Sequence, residues 1–261
     1  MFTKPAPEKE KLGWFKKAFL ANRDHEIGAQ EYAVRITDEE GNLVFGKLSK
    51  KRLHEMHPKT TDDIKDVLTE DWPYLEFLCD ASQGRQLIVI EYNSVVIYKI
   101  AAVKSILENL VGASMYKHGY AVRFEPIVDD STFWSILNEA ENVFALSFLL
   151  NSPNMFGAAI KANEALKDLR GIFNNTRVKI SLENEKGDLK VPPATIDTYR
   201  DYADKGGGEW AITARPKGRS RKKKRYVSTE RAVKVQMEKF ESETLAYRLK
   251  AAYEQFLDKL K

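Results

Sequence analysis

The sequence predicts an α+β fold, mixed and largely antiparallel sheets with flanking helices, on three observations. β-rich stretches flank a turn near the N-terminus, strand and helix patterns alternate through the middle third, and the last stretch carries a helical apolar stripe. A length of 261 residues suits one large domain or two small ones, and 43% apolar residues with 11% aromatics build a substantial core.

Residues Glu8 to Leu20 place Leu12, Phe15 and Phe19 at helical spacing among lysines, an amphipathic helix that packs on a core or lies on a membrane surface. Tyr32 to Thr37 and Leu43 to Leu48 predict a hairpin around the turn from Asp38 to Asn42. Thr61 followed by Asp62, Asp63, Ile64, Val67 and Leu68 reads as an N-capped helix with acids in its first turn. Gln86 to Glu91 and Ser94 to Ile100 form either a hairpin or one bent strand. Val103, Ile106, Leu107, Leu110 and Val111 then mark a helix from Ile100 to Lys117, stopped near Gly119.

Ala121 to Val128 reads as a strand, and Ser131 as the cap of a helix containing Phe133, Trp134, Ile136 and Leu137. Asn142 to Leu150 is a strand, and Asn154 caps a helix from Met155 to Leu169 that Gly171 ends. Thr176 to Glu183 is a strand before the turn from Asn184 to Asp188. Thr195 to Asp204 is a helix that Gly206, Gly207 and Gly208 stop, and Glu209 to Arg215 is the strand after it. Val227, Thr229, Arg231, Val233 and Val235 alternate as a half-buried strand does. From Glu238 onward, Leu245, Leu249, Tyr253, Phe256 and Leu260 form one helical stripe, which closes the core or joins a partner chain. A loose division near Asn151-Ser152-Pro153 separates an N-terminal half, 1–150, from a C-terminal half, 151–261, with a single domain as the alternative.

Charge carries the functional signal. Arg215, Lys217, Arg219, Arg221, Lys222, Lys223, Lys224 and Arg225 are eight positive charges within eleven residues, with no acid among them. Taking those eight from the net charge of +4 leaves the rest of the chain at −4. An acidic body with one basic segment, placed between the strand ending at Arg215 and the alternation from Val227, predicts a hairpin tip that contacts a polyanion. Lysine and arginine that neutralise phosphates release condensed counterions, a term independent of base sequence. The arginines can also bind phosphate bidentately, and Tyr226 adds a stacking surface. The plain alternative is a solvated loop whose charges keep a sheet edge from aggregating. Anionic lipid is a weaker rival, since the tip has no apolar neighbours.

Other chemistry is poorly provided for. Cys79 is the single cysteine, so there is no disulfide framework and no thiolate cluster for zinc. His54 and His57 are three apart but lack the His-Glu-x-x-His pattern, and Pro58 follows them. No Glu-x-Lys occurs, and Asp63 with Lys65 and Asp188 with Lys190 fall outside strand cores, so nuclease spacing is missing. Asp129, Asp130 and Glu125 are the first acids to consider for an enzyme. The Gly206-Gly207-Gly208 run lacks the spacing of a nucleotide loop, Asn151 to Asn154 offers only turn amides, and no Gly-x-Ser-x-Gly is present. No metal, cofactor or catalytic set is expected. The N-terminus has no secretory h-region and every apolar stretch is too short to span a bilayer, so a cytoplasmic protein without membrane insertion is expected.

The run Val122-Arg123-Phe124-Glu125-Pro126-Ile127, a short helix, the apolar strand ending at Asn151-Ser152-Pro153-Asn154, the helix after it and the hairpin-like Ile180 to Leu189 resemble the RexA-type phage-exclusion proteins of lambdoid prophages. The order is similar too to that of other bacterial defence proteins of this length, over roughly residues 30 to 235. The resemblance implies a cytoplasmic α+β homodimer that binds DNA with little sequence preference in an infection response. It carries no catalytic motif, and the basic tip matches no signature of that family. The expected function is a non-catalytic nucleic-acid-binding component of anti-phage defence, DNA favoured. The alternatives are a metal-dependent nuclease or nucleotide-directed toxin, and a component that binds a partner protein of the same system.

Overall fold

The computed structural model describes residues 8–59, 61–82, 86–97, 99–152, 161–218, 222–235 and 245–259. Its first elements are α1 (Glu8–Phe19), β1 (Arg23–Ile27), β2 (Gln30–Glu40), β3 (Leu43–Lys50), β4 (Arg52–Met56), β5 (Val67–Asp71), β6 (Tyr74–Asp80), β7 (Leu87–Ile90) and α2 (Ile100–Tyr116). Then follow α3 (Asp130–Glu139), β8 (Ala140–Asn151), α4 (Lys161–Phe173), β9 (Arg177–Glu183) and α5 (Pro193–Tyr202). A π-turn at Ala203–Gly207 leads into β10 (Gly208–Pro216), then come β11 (Lys224–Val227), a 3-10 turn at Ser228–Glu230, and α6 (Leu245–Lys259). The fold is α+β, and each paired strand runs antiparallel to its neighbour.

The chain divides into two compact units, Met1–Val122 with Val235–Lys261, and Arg123–Lys234. The expected division after residue 150 instead falls at the end of β8, a central strand of the second unit. Neighbours β9 and β10 hold β8 on both sides, so nothing separates there.

The first unit is a five-stranded sheet in the order β1-β2-β3-β6-β7. Its centre is buried on both faces: Val44, Phe45, Leu48, Leu75, Phe77, Leu78 and Cys79 are at most 1% exposed. Phe45 and Leu78 pack against Leu249 and Tyr253 of α6, and on the reverse face Phe19 of α1 meets Phe77. The α6 stripe therefore closes this chain's own core. Tyr253 donates to the buried Asp80 carboxylate, which also accepts from the Ser82 amide, while Lys250 pairs with Glu40 at 2.9 Å. Burial first, and then the Asp80 charge, push the Cys79 thiol far above its ordinary range, which leaves it inert.

The second unit is a four-stranded sheet in the order β11-β10-β8-β9. One face carries the helices: Leu146, Phe148, Leu150, Trp210, Ile212 and Ala214 pack with Phe133 and Ile136 of α3, Leu166 of α4 and Ile196 of α5.

Several expectations are corrected. Residues 61–68 form no helix; Val67 to Asp71 is β5, paired with β4. The Thr-Asp-Asp start is a sound local cap, but Ile64, Val67 and Leu68 have no core to face and the β-branched segment pairs instead. Ser94 to Ile100 is not a strand, because the Asn93 side chain and carbonyl capture the amides of Val95, Val96 and Ile97 in a turn. The partner of β7 is β6. Ala121 to Val128 is irregular apart from a bridge between Val128 and Ala232. Asp129, not Ser131, caps α3, accepting from the Ser131 amide at 2.9 Å. Gly171 lies inside α4, and the helix ends before Asn174, at φ 52°. Asn154 and the expected helix start at Met155 lie outside the described residues. The alternation from Val227 is cut short by the 3-10 turn, where the Ser228 hydroxyl binds the Trp210 amide at 3.0 Å.

Candidate nucleic-acid interface

The basic segment follows β10, whose alternate residues Trp210, Ile212 and Ala214 point into the core. The start of the strand is held by a buried charge network. Asp204 is completely buried, accepting from the Trp210 indole at 2.6 Å and from Arg200 at 3.2 Å. Arg200 also binds Asp197 at 3.1 Å, and Trp134 donates to that carboxylate at 3.2 Å. Gly206 makes the reversal into β10 with φ 87°, a region closed to most side chains. Tyr202 donates to the Asn151 carbonyl at 2.8 Å, and burial raises its phenol pKa to about 12.

β11 begins at Lys224, opposite Ala214, so the basic segment bridges two paired strands. Arg215 lies at the end of β10, Lys224 and Arg225 lie on β11, and Lys222 and Lys223 lie in the connection. Arg219 and Arg221 lie outside the described residues. The register splits the cluster between two faces: Tyr226 is opposite Ile212 and packs against the helix-side core, while Arg225 is opposite Thr213 on the reverse face.

Two aromatic rings hold the cations. Phe144 is the extra residue of a β-bulge, since Thr213 faces Ala145 and Ala214 faces Val143. Its ring carries the Lys223 ammonium at 3.9 Å and the Arg215 guanidinium at 5.6 Å. The Asn184–Asp188 turn closes over the same ring, and a Cβ on Gly187 would meet it at 2.8 Å. Tyr226 carries Lys224 at 5.0 Å and Arg231 at 5.5 Å. Two like charges thus share each ring. Among the described residues, none of Arg215, Lys222, Lys223, Lys224, Arg225 or Arg231 forms an ion pair. The Arg215 Nε–H is buried without a hydrogen-bond partner.

No family model, curated protein or solved structure matches this chain.

Two expected site residues have other duties. Lys217 donates through Nζ to the Asn138 carbonyl at 2.8 Å, and its amide binds the Glu139 carbonyl at 2.9 Å. It satisfies the C-terminus of α3, where a cation is favourable. Tyr226 has cations against its ring, so it is a platform for Lys224 and Arg231 before it is a stacking surface. Phe144 and Arg231 were not legible as site residues. Phe144 sits in an apolar strand and meets Lys223 only through the fold. Arg231 looked like one step of an alternating strand.

The acids considered for catalysis are engaged elsewhere. Asp129 caps α3, and Glu125 accepts from the Asn151 amide at 3.3 Å. The Asp130 side chain is outside the described set. His54 faces Asp71 at 3.3 Å and His57 faces Asp66 at 2.9 Å, so the two imidazoles are claimed separately. Among the described residues, no cluster of three His, Cys, Asp or Glu converges as metal ligands do. Among them, too, no helix is long and apolar enough to cross a membrane.

Proposed function

We propose that the β10–β11 connection grips the phosphate backbone of nucleic acid, DNA foremost, without catalysis and without reading base sequence. One observation carries this reading: two cations lie against each of the Phe144 and Tyr226 rings, and among the described residues none of the four forms an ion pair. Like charges that share a ring repel, and an external anion relieves that repulsion. Arg215, Lys222, Lys223, Lys224 and Arg225 are the contacts, with Arg231 added and Lys217 reassigned to α3. Arg219 and Arg221 join them on charge alone. Phosphate contacts of this kind position a duplex and carry no sequence information. The setting in this reading is bacterial anti-phage defence, as the RexA-type resemblance implies, in the cytoplasm. A homodimer belongs to the same implication, but the described stripe residues of α6, Leu249, Tyr253 and Phe256, are buried in their own unit.

Fluorescence anisotropy with several unrelated labelled duplexes tests the reading. The expected dissociation constants are alike and near 10⁻⁴–10⁻⁶ M at physiological salt, on the order of non-specific binding. Absence of binding at low salt would refute it, as would a preference of about 10³ or more for one sequence.

A further inference from the structure

The β4–β5 ribbon is the opposite of the basic connection in charge and like it in having a free strand edge. Each of its strands pairs only with the other, and nine of its ten residues are exposed. The ribbon continues the β3–β6 ladder through the Lys50 amide, which donates to the Pro73 carbonyl at 3.1 Å, and so projects from the sheet with both outer edges unpaired among the described residues. Leu53, Met56, Ile64, Val67 and Leu68 are all exposed on this one hairpin, 42 to 65% of each reaching solvent. The register puts Leu53 and Leu68 on one face with Glu55 and Glu70, and Met56 with Val67 on the other, so Leu53 and Leu68 are the apolar pair that a partner on the Glu55 face would cover. Around them stand Glu55, Asp62, Asp63, Asp66, Glu70 and Asp71 against Lys51, Arg52, Lys59 and Lys65, a net charge of −2. The connection in the second unit is its complement: Lys222, Lys223, Lys224 and Arg225 are exposed, and β11 is the outermost strand of its sheet.

We propose that the β4–β5 ribbon docks on the β11 edge and basic connection of a second copy of this chain. Edge pairing supplies backbone hydrogen bonds, the acids meet the uncompensated cations, and Leu53 and Leu68 are covered. The two patches differ, so the contact is heterologous, and assemblies grow with concentration. An acidic ribbon on the connection occupies the place proposed for phosphates, so self-association and nucleic acid exclude one another. That exclusion rests on the phosphate reading; the association does not.

Sedimentation velocity on the purified full chain, without nucleic acid, tests the association by charge exchange. The wild type should associate with rising concentration at low ionic strength and dissociate as salt screens the contact. Glu55→Lys with Asp66→Lys should be monomeric, and so should Lys222→Glu with Lys224→Glu and Arg225→Glu. An equimolar mixture of these two variants should associate again. Leu53→Ser with Leu68→Ser, both at exposed sites, should keep the melting temperature and weaken association about tenfold or more. A wild type that stays monomeric throughout, or a variant mixture that does not re-associate, overturns the proposal. Duplex DNA added to wild-type assemblies should release monomers. A wild type that ignores DNA while the variant mixture still re-associates removes the phosphate reading and leaves the docking standing.

Discussion

At one end of β10 the buried Asp204 is matched by the Trp210 indole and the Arg200 guanidinium, and at the other Arg215 and Lys223 share the Phe144 ring and form no ion pair among the described residues. One strand therefore joins a charge the fold has satisfied to charges it has left open. The difference shows which charges serve the fold. A buried ion stripped of its partner destabilises strongly, whereas an exposed cation such as Lys223 costs little to leave unpaired and stays available to another molecule.

Substitutions can break this contrast, beginning with the most costly. Asp204→Ala leaves Arg200 and the Trp210 N–H short of an acceptor in the core, and urea unfolding should show a loss of about 3–5 kcal/mol. A loss under about 1 kcal/mol would mean that water reaches the network and that the two ends are not so different. Phe144→Leu keeps an apolar side chain in the bulge but removes the ring. It should cost about 1 kcal/mol in stability and also weaken DNA binding, because Arg215 and Lys223 lose their shared platform. Unchanged DNA affinity would show that the ring only packs.

Lys217→Ala sharpens the comparison from within the basic run. It should cost about 0.3–1 kcal/mol by exposing the last carbonyls of α3 and leave DNA affinity as it was. If it weakens DNA binding as much as Lys223→Ala does, the assignment of Lys217 to the helix end is wrong.

Where local patterning and final packing agreed, the fold was legible. The α6 stripe kept its period and is buried at Leu249, Tyr253 and Phe256, and β2 with β3 formed the expected hairpin. Strand β6 escaped notice because it is buried on both faces near the sheet centre, so Leu75, Phe77, Leu78 and Cys79 show no alternation. Strand β5 was misread because a genuine capping signature precedes it and only its long-range pairing with β4 decides against a helix. The basic cluster was visible as charge, but charge alone did not separate Lys217 from its neighbours. Separation depends on contacts distant in sequence: Lys217 to Asn138, and Lys223 to Phe144.

The most direct test is the salt dependence of DNA affinity for the wild type beside the Lys222→Ala, Lys223→Ala, Lys224→Ala, Arg225→Ala variant. The account predicts a steep slope of log K against log salt for the wild type. In the variant the slope should fall by about 0.9 for each phosphate contact removed, with the melting temperature unchanged or slightly raised. Equal slopes and equal affinities at every salt concentration would contradict it.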